Sequence, residues 1–138
     1  MSIIIREKLF SLETRNALYQ MKADETGLLR HLYFGRKTED DMGYLVRRAD
    51  RCGSNNPYEK QNDRTYSVDT LPQEYPTGGA GDYRVPALRV KADNGSRACE
   101  LRFAEAKQLQ GKKKPEGLPG VRGNGDTEGL EIILRDKV

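Results

Sequence analysis

The chain has no tryptophan, one histidine and two cysteines among its 138 residues. His31 stands alone, and Cys52 and Cys99 lie far apart, so no zinc-type ligand spacing exists. The cysteines read as free thiols of a reducing compartment. Neither a metal nor an organic cofactor is expected. Long apolar runs are also missing. Ile3-Ile4-Ile5 is far shorter than the core of a secretory leader. No stretch approaches the about 20 apolar residues of a membrane-spanning helix. A cytoplasmic protein without a membrane partner is therefore expected. Neither sign of charge dominates: 24 Lys and Arg face 21 Asp and Glu, a formal charge of +3. That balance gives no reason to expect a nucleic-acid partner. Lys112, Lys113 and Lys114 beside Pro115 read as a solvated turn. The length also excludes a (β/α)8 barrel, which needs about 250 residues.

What is present is a polar, sheet-forming sequence. Hydrophobic residues make up 36% and charged residues 33%, yet seven Tyr and three Phe are available to anchor sheets. Residues 8–13 form a short apolar–polar run that ends at the turn-prone Thr14-Arg15-Asn16. In 17–22, Ala17, Tyr19 and Met21 alternate with polar Gln20 and Lys22, which predicts a half-buried strand. Asp24-Glu25-Thr26-Gly27 turns the chain into 28–34, which is apolar in part on both faces. The flanking Gly27 and Gly35 favour a strand there over a short helix, and His31 reads as an ordinary sheet residue. Residues 35–64 carry charge, Gly, Asn and Pro around one apolar patch, Tyr44-Leu45-Val46, and read as a long loop. Tyr66 restarts a strand pattern. Further on, Asn94-Gly95 predicts a tight hairpin between 87–93 and a strand carrying Cys99, Leu101 and Phe103. A helix over 97–110 is the rival, since good helix formers are frequent there. A last strand is expected over 130–134.

Between these elements lies an unusual stretch, residues 69–90. Pro72, Pro76 and Pro86 fix backbone angles within it, and Gly78, Gly79 and Gly81 allow tight geometry. Asp82 and Arg84 are placed to pair and to hold backbone groups at its bends. It reads as a shaped loop. Its first part, Asp69-Thr70-Leu71-Pro72-Gln73-Glu74-Tyr75-Pro76, and the later Gly81-Asp82-Tyr83-Arg84-Val85-Pro86-Ala87 resemble the N-terminal domain of family-36 glycoside hydrolases, the α-galactosidases. Leu29 to Gly35, Gly117-Leu118-Pro119 and Leu130 to Leu134 extend the likeness in the same order. Gly120, Val121 and Arg122 stand where the relatives carry an aromatic.

The resemblance implies an all-β fold: part of an antiparallel β-sandwich, a supersandwich-like N-terminal domain with long irregular loops, over residues 1–138. It implies a full enzyme that hydrolyses terminal α-galactosides such as melibiose and raffinose and assembles as a homo-oligomer. In the relatives, the long loop reaches a neighbouring subunit's sugar pocket, and the matching substrate-binding positions are Asp50 and Arg64. Retaining hydrolysis needs two carboxyl groups about 5 Å apart across the scissile bond. The resemblance places both in a barrel that this chain lacks, so the chain alone is expected to be inactive and to end within its sandwich. Glu39-Asp40-Asp41 reads as a solvated cluster rather than that pair. Two other readings stand beside this one. The first is a free-standing carbohydrate-binding or protein-interaction module using Tyr44, Tyr58, Tyr75 and Tyr83. The second is an unrelated sandwich with convergent turns.

Overall fold

A computed structural model describes residues 2–46, 48, 56–79, 81–113, 116–120, 123 and 126–137. The first four strands form an antiparallel meander: β1 (Ser2–Arg6), β2 (Leu9–Glu13), β3 (Ala17–Ala23) and β4 (Leu29–Arg36), paired in chain order. Two longer strands, β5 (Leu101–Gln110) and β6 (Glu128–Asp136), pair with each other. Among the described residues there is no α-helix, only two 3-10 turns, Met42–Leu45 and Tyr58–Lys60.

The meander follows from alternation. Phe10 and Leu12 of β2 lie opposite Met21 and Tyr19 of β3, so one face becomes an apolar row. That face meets the β5–β6 ribbon. Phe10, Met21, Ala23 and Leu29 form the buried centre, with Phe103, Ala106, Leu130 and Ile132 packed over it. Phe10 is fully buried, and its ring lies 5.6 Å from that of Phe103. Burying a side chain of this size contributes about 1.5–3 kcal/mol. The β3–β4 turn fixes the sheets together. Gly27, at φ +83°, accepts a 2.7 Å bond from the Phe103 amide. The Arg102 guanidinium donates to the carbonyl (3.1 Å) and hydroxyl (2.9 Å) of Thr26.

The opposite face of the meander is covered by irregular chain. Leu28, Tyr66, Val68 and Leu71 make a second core, with Val46 against it. The 69–90 stretch is the shaped loop expected, and it runs first along the outer edge of β4. His31 donates its amide to Pro72, and Glu74 donates to Leu29. Arg84 then fastens the bend: its guanidinium donates to the carbonyls of Leu71 (3.0 Å) and Val68 (2.7 Å) and pairs with the buried Asp82. Burial raises the Asp82 pKa, but the Arg84 guanidinium and amide outweigh it, and the carboxyl is held below its ordinary value.

Several elements differ from the sequence reading. The Asn94-Gly95 turn forms, with Gly95 at φ +84° and a 2.9 Å bond from the Ala92 amide to Ser96. Its arms do not pair as hairpin strands. Both attach instead to the segment around Thr77: Ala87 donates to Pro76, Cys99 donates to Gly78, and the Thr77 hydroxyl bonds the Cys99 carbonyl. The strand after the turn finds its partner in β6, and no helix forms over 97–110. Tyr66 begins no strand; its amide closes a turn onto Asp63. β1 is an additional strand, built from the isoleucines of the N-terminus. Gln20 is buried rather than solvated. A register shift at Gln20/Met21 accompanies it, and its amide bonds Ser11, the Asp40 carbonyl and the Met42 amide, drawing the 3-10 turn onto the sheet.

Candidate functional site

The densest polar cluster lies where the β3–β4 turn meets the segment that returns from the long loop. Asp24 is the acceptor at its centre. Its carboxylate takes hydrogen bonds from the amides of Thr26 (2.9 Å) and Leu28 (3.1 Å), from Arg30 Nε (2.8 Å) and from the Tyr66 hydroxyl. An aspartate followed by short polar residues and glycine folds this way because its carboxylate satisfies amides that the turn leaves free. Burial raises the Asp24 pKa; Tyr66, the Arg30 charge and Thr26 together lower it further than that, so the group stays below its ordinary value. Tyr66 is fully buried, and burial, opposed by Arg30 and aided by Asp24, pushes its phenol up to about 12. It remains a hydrogen-bond donor at any working pH.

Three cations surround the Tyr66 ring. Arg30, Arg48 and Lys60 lie 5.1, 5.3 and 5.9 Å from its centroid. Each such contact contributes about 0.5–1 kcal/mol at exposed positions. Their mutual repulsion is offset by Asp24, by Glu25, which lies 3.0 Å from Lys60 and 3.7 Å from Arg48, and by Asp63, 3.7 Å from Arg48. A cavity of about 470 Å³ opens beside this cluster, lined by Lys22, Asp24, Glu25, Arg30, Asp41 and Tyr44 among others.

The carboxylates that line the cavity share an electrostatic state. Glu25 is lowered by a bond from its own amide and by Lys60. Asp41 is lowered chiefly by Lys22, 2.8 Å away, against a smaller effect of burial, and by the Gly43 amide that it caps. With Asp24, all three are held ionised. Such groups accept hydrogen bonds from hydroxyls but have no proton to give near neutral pH.

Arg64 is an exposed residue of the turn between Asp63 and Tyr66, at the foot of this cluster. The Asp63 carboxylate shapes that turn by accepting from the Thr65 amide (3.0 Å) and hydroxyl (2.6 Å). Asp50 lies outside the described residues, as does Cys52. His31 is a β4 residue whose ring lies 5.2 Å from Tyr19 and whose Nδ1 is 3.5 Å from Glu74. Cys99 is buried, and burial, with Asp136 nearby, pushes its thiol up, so it is a poor nucleophile. Among the described residues, no group of three His, Cys, Asp or Glu side chains is placed to hold a metal. Tyr44, Tyr58, Tyr75 and Tyr83 are all exposed, spread over both 3-10 turns and the shaped loop. Arg30 and Tyr66, which organise the cluster, carry no local sequence signal, because they meet across 36 positions.

Residues 27–138 match the glycosyl hydrolase family 36 N-terminal domain. The chain belongs to that family. It is 45% identical over 132 residues to the bifunctional alpha-galactosidase/sucrose kinase AgaSK of Mediterraneibacter gnavus, a match covering 95% of this chain and 14% of that protein. Alpha-galactosidase AgaA of Geobacillus stearothermophilus is 40% identical over 132 residues, 94% of this chain and 18% of that protein. The solved galactosidase domain of AgaSK superposes with a TM-score of 0.92 at 44% identity, covering 99% of this chain and 19% of that one. AgaA in complex with stachyose superposes at 0.83 with 39% identity, covering 94% of this chain and 18% of that one. The family 36 N-terminal chain thus spans less than a fifth of the length of these relatives.

Proposed function

We propose that this chain is the N-terminal region of an α-galactosidase that removes terminal α-linked galactose from substrates such as melibiose and raffinose. The observation that carries the reading is near-complete alignment, at 40–45% identity, with proteins named as α-galactosidases. Solved relatives in complex with stachyose and raffinose support the substrate class. In this reading residues 1–138 supply scaffold, and the segment around Arg64, with Asp50, completes the sugar pocket of a neighbouring subunit in a homo-oligomer. A bidentate guanidinium beside a carboxylate suits the recognition of vicinal sugar hydroxyls. The protein works in the cytoplasm, where a protonated Cys99 thiol is stable; no helix among the described residues is long and apolar enough to cross a membrane.

Bond cleavage belongs to polypeptide outside the chain. A retaining glycosidase needs one carboxyl group that is protonated near neutral pH. Each carboxylate lining the cavity beside the Tyr66 cluster is paired and held below its ordinary pKa instead. The test compares turnover of p-nitrophenyl α-galactoside by the isolated chain and by the complete polypeptide. Activity only in the complete polypeptide is expected. Turnover by the isolated chain above that of a denatured control overturns the division of labour, and an inactive complete polypeptide overturns the activity itself.

A further inference from the structure

Arg48 precedes, and Lys60, Asp63 and Arg64 follow, the part of the loop that contains Asp50. These two limbs, 12 to 16 positions apart in sequence, meet on a small set of fixed groups. Glu25 reaches both, through Arg48 on one side and Lys60 on the other. The Tyr66 ring carries both cations, and its hydroxyl is tied to Asp24, Thr26 and Arg30 of the β3–β4 turn. Asp63 links the limbs directly by facing Arg48. Asn56 ties the returning limb to itself, donating to the carbonyls of Lys60 (3.0 Å) and Asp63. The same limb is also held to the second sheet, since Glu59 pairs with Lys137 of the segment after β6. The base of the loop is thus built on a rigid hairpin turn, and Arg64 sits one residue from Asp63 and two from Tyr66.

We infer that Glu25 and Tyr66 are positioning residues for sugar recognition: they gather the two limbs of the loop and so fix where Arg64 is presented. The inference rests on the reading that Arg64 touches the sugar. A guanidinium that must meet two hydroxyls is sensitive to displacements well under the length of a hydrogen bond. Loosening the base lowers the fraction of molecules in the binding-competent arrangement, which raises the apparent dissociation constant without changing the reacting groups. Glu25 is the more informative of the two because it is half exposed and outside both cores, so its replacement spares the fold.

The experiment uses the complete polypeptide that carries this chain, with Glu25→Gln, Lys60→Gln, the double variant and Arg64→Ala. Glu25→Gln is expected to speed deuterium exchange of the 56–65 amides and to raise KM for p-nitrophenyl α-galactoside about two- to fivefold at unchanged kcat, the scale of a partly exposed ion pair. The double variant is expected to fall short of the sum of the two single effects, because either change alone already breaks the Glu25–Lys60 contact. A merely structural role would lower Tm or kcat and leave this pattern absent. Unchanged KM in Glu25→Gln overturns the inference; if Arg64→Ala raises KM in the same series, the reading of Arg64 survives that failure. A raised KM in Glu25→Gln with none in Arg64→Ala also overturns it, and the reading of Arg64 falls with it.

Discussion

The meander of β1 to β4 and the irregular chain between residues 66 and 100 are both ordered, but by different physics. In the meander, main-chain ladders do the hydrogen bonding and apolar side chains supply the attraction. In the irregular chain, single side chains satisfy main-chain groups that no ladder reaches. Arg84 serves Leu71 and Val68, Thr77 serves Cys99, and Gln73 serves Val68. The first kind of order is distributed over a repeating pattern, so conservative apolar exchanges are tolerated in it. The second is concentrated in individual groups. Conservative replacement there leaves a buried polar atom without a partner.

The contrast is broken hardest at Phe10. Phe10→Ala is expected to destabilise the domain by about 3–5 kcal/mol through cavity formation, measured by urea unfolding, whereas Leu12→Met should cost less than about 1.5 kcal/mol. The irregular chain should show the opposite sensitivity. Arg84→Met keeps most of the packing volume but removes the charge paired with the buried Asp82 and the side-chain donor to the Leu71 carbonyl. Gln73 remains on Asp82 and Val68, and a loss of about 2–3 kcal/mol is expected. Adding Asp82→Asn to it should cost less than the sum of the two single changes in a double-mutant cycle.

Acid sharpens the same distinction. Asp24 and Asp82 both have lowered pKa values in the folded chain. The stability they contribute is complete above the ordinary carboxylate value of about 3.9 and is lost as pH falls through their lowered values. Acid unfolding followed by circular dichroism should therefore steepen below about pH 4. Asp24→Asn should lower stability at neutral pH and flatten that acid slope; an unchanged slope would count against the cluster around Tyr66. The smallest effect is expected at Lys22, whose pair with Asp41 is exposed on both sides. Lys22→Gln should cost at most about 1 kcal/mol.

The same division explains what could be read from sequence. Strands β2, β3 and β6 are visible because alternation of apolar and polar residues is local, and β4 because Gly27 and Gly35 bracket its apolar run. The Asn94-Gly95 turn is visible too. The partner of the strand after that turn is not local: Leu101 pairs with Asp136, and the arms of the turn bond the segment around Thr77 rather than each other. β1 is hidden because three consecutive isoleucines show no alternation. The expectation that Gln20 faces solvent fails because a residue 22 positions later, Met42, folds back over it. At the candidate site, only family likeness points to Arg64, and Asp50 lies outside the described residues. Nothing local in the sequence joins Tyr66 to Glu25, since cations over a buried ring leave no trace in spacing.

The contacts along the rim of the meander carry a last consequence. On the β4 side, Pro72 and Glu74 occupy main-chain groups, and on the β1 side the Ile3 amide is already taken by Glu128. A foreign strand arriving at either flank meets positions that are plugged, so zipper-like growth of this sheet into fibres or swapped dimers is discouraged. Docking on the meander is thereby steered toward loops and side chains, and that leaves the choice of neighbour there to chemistry that mutation can tune.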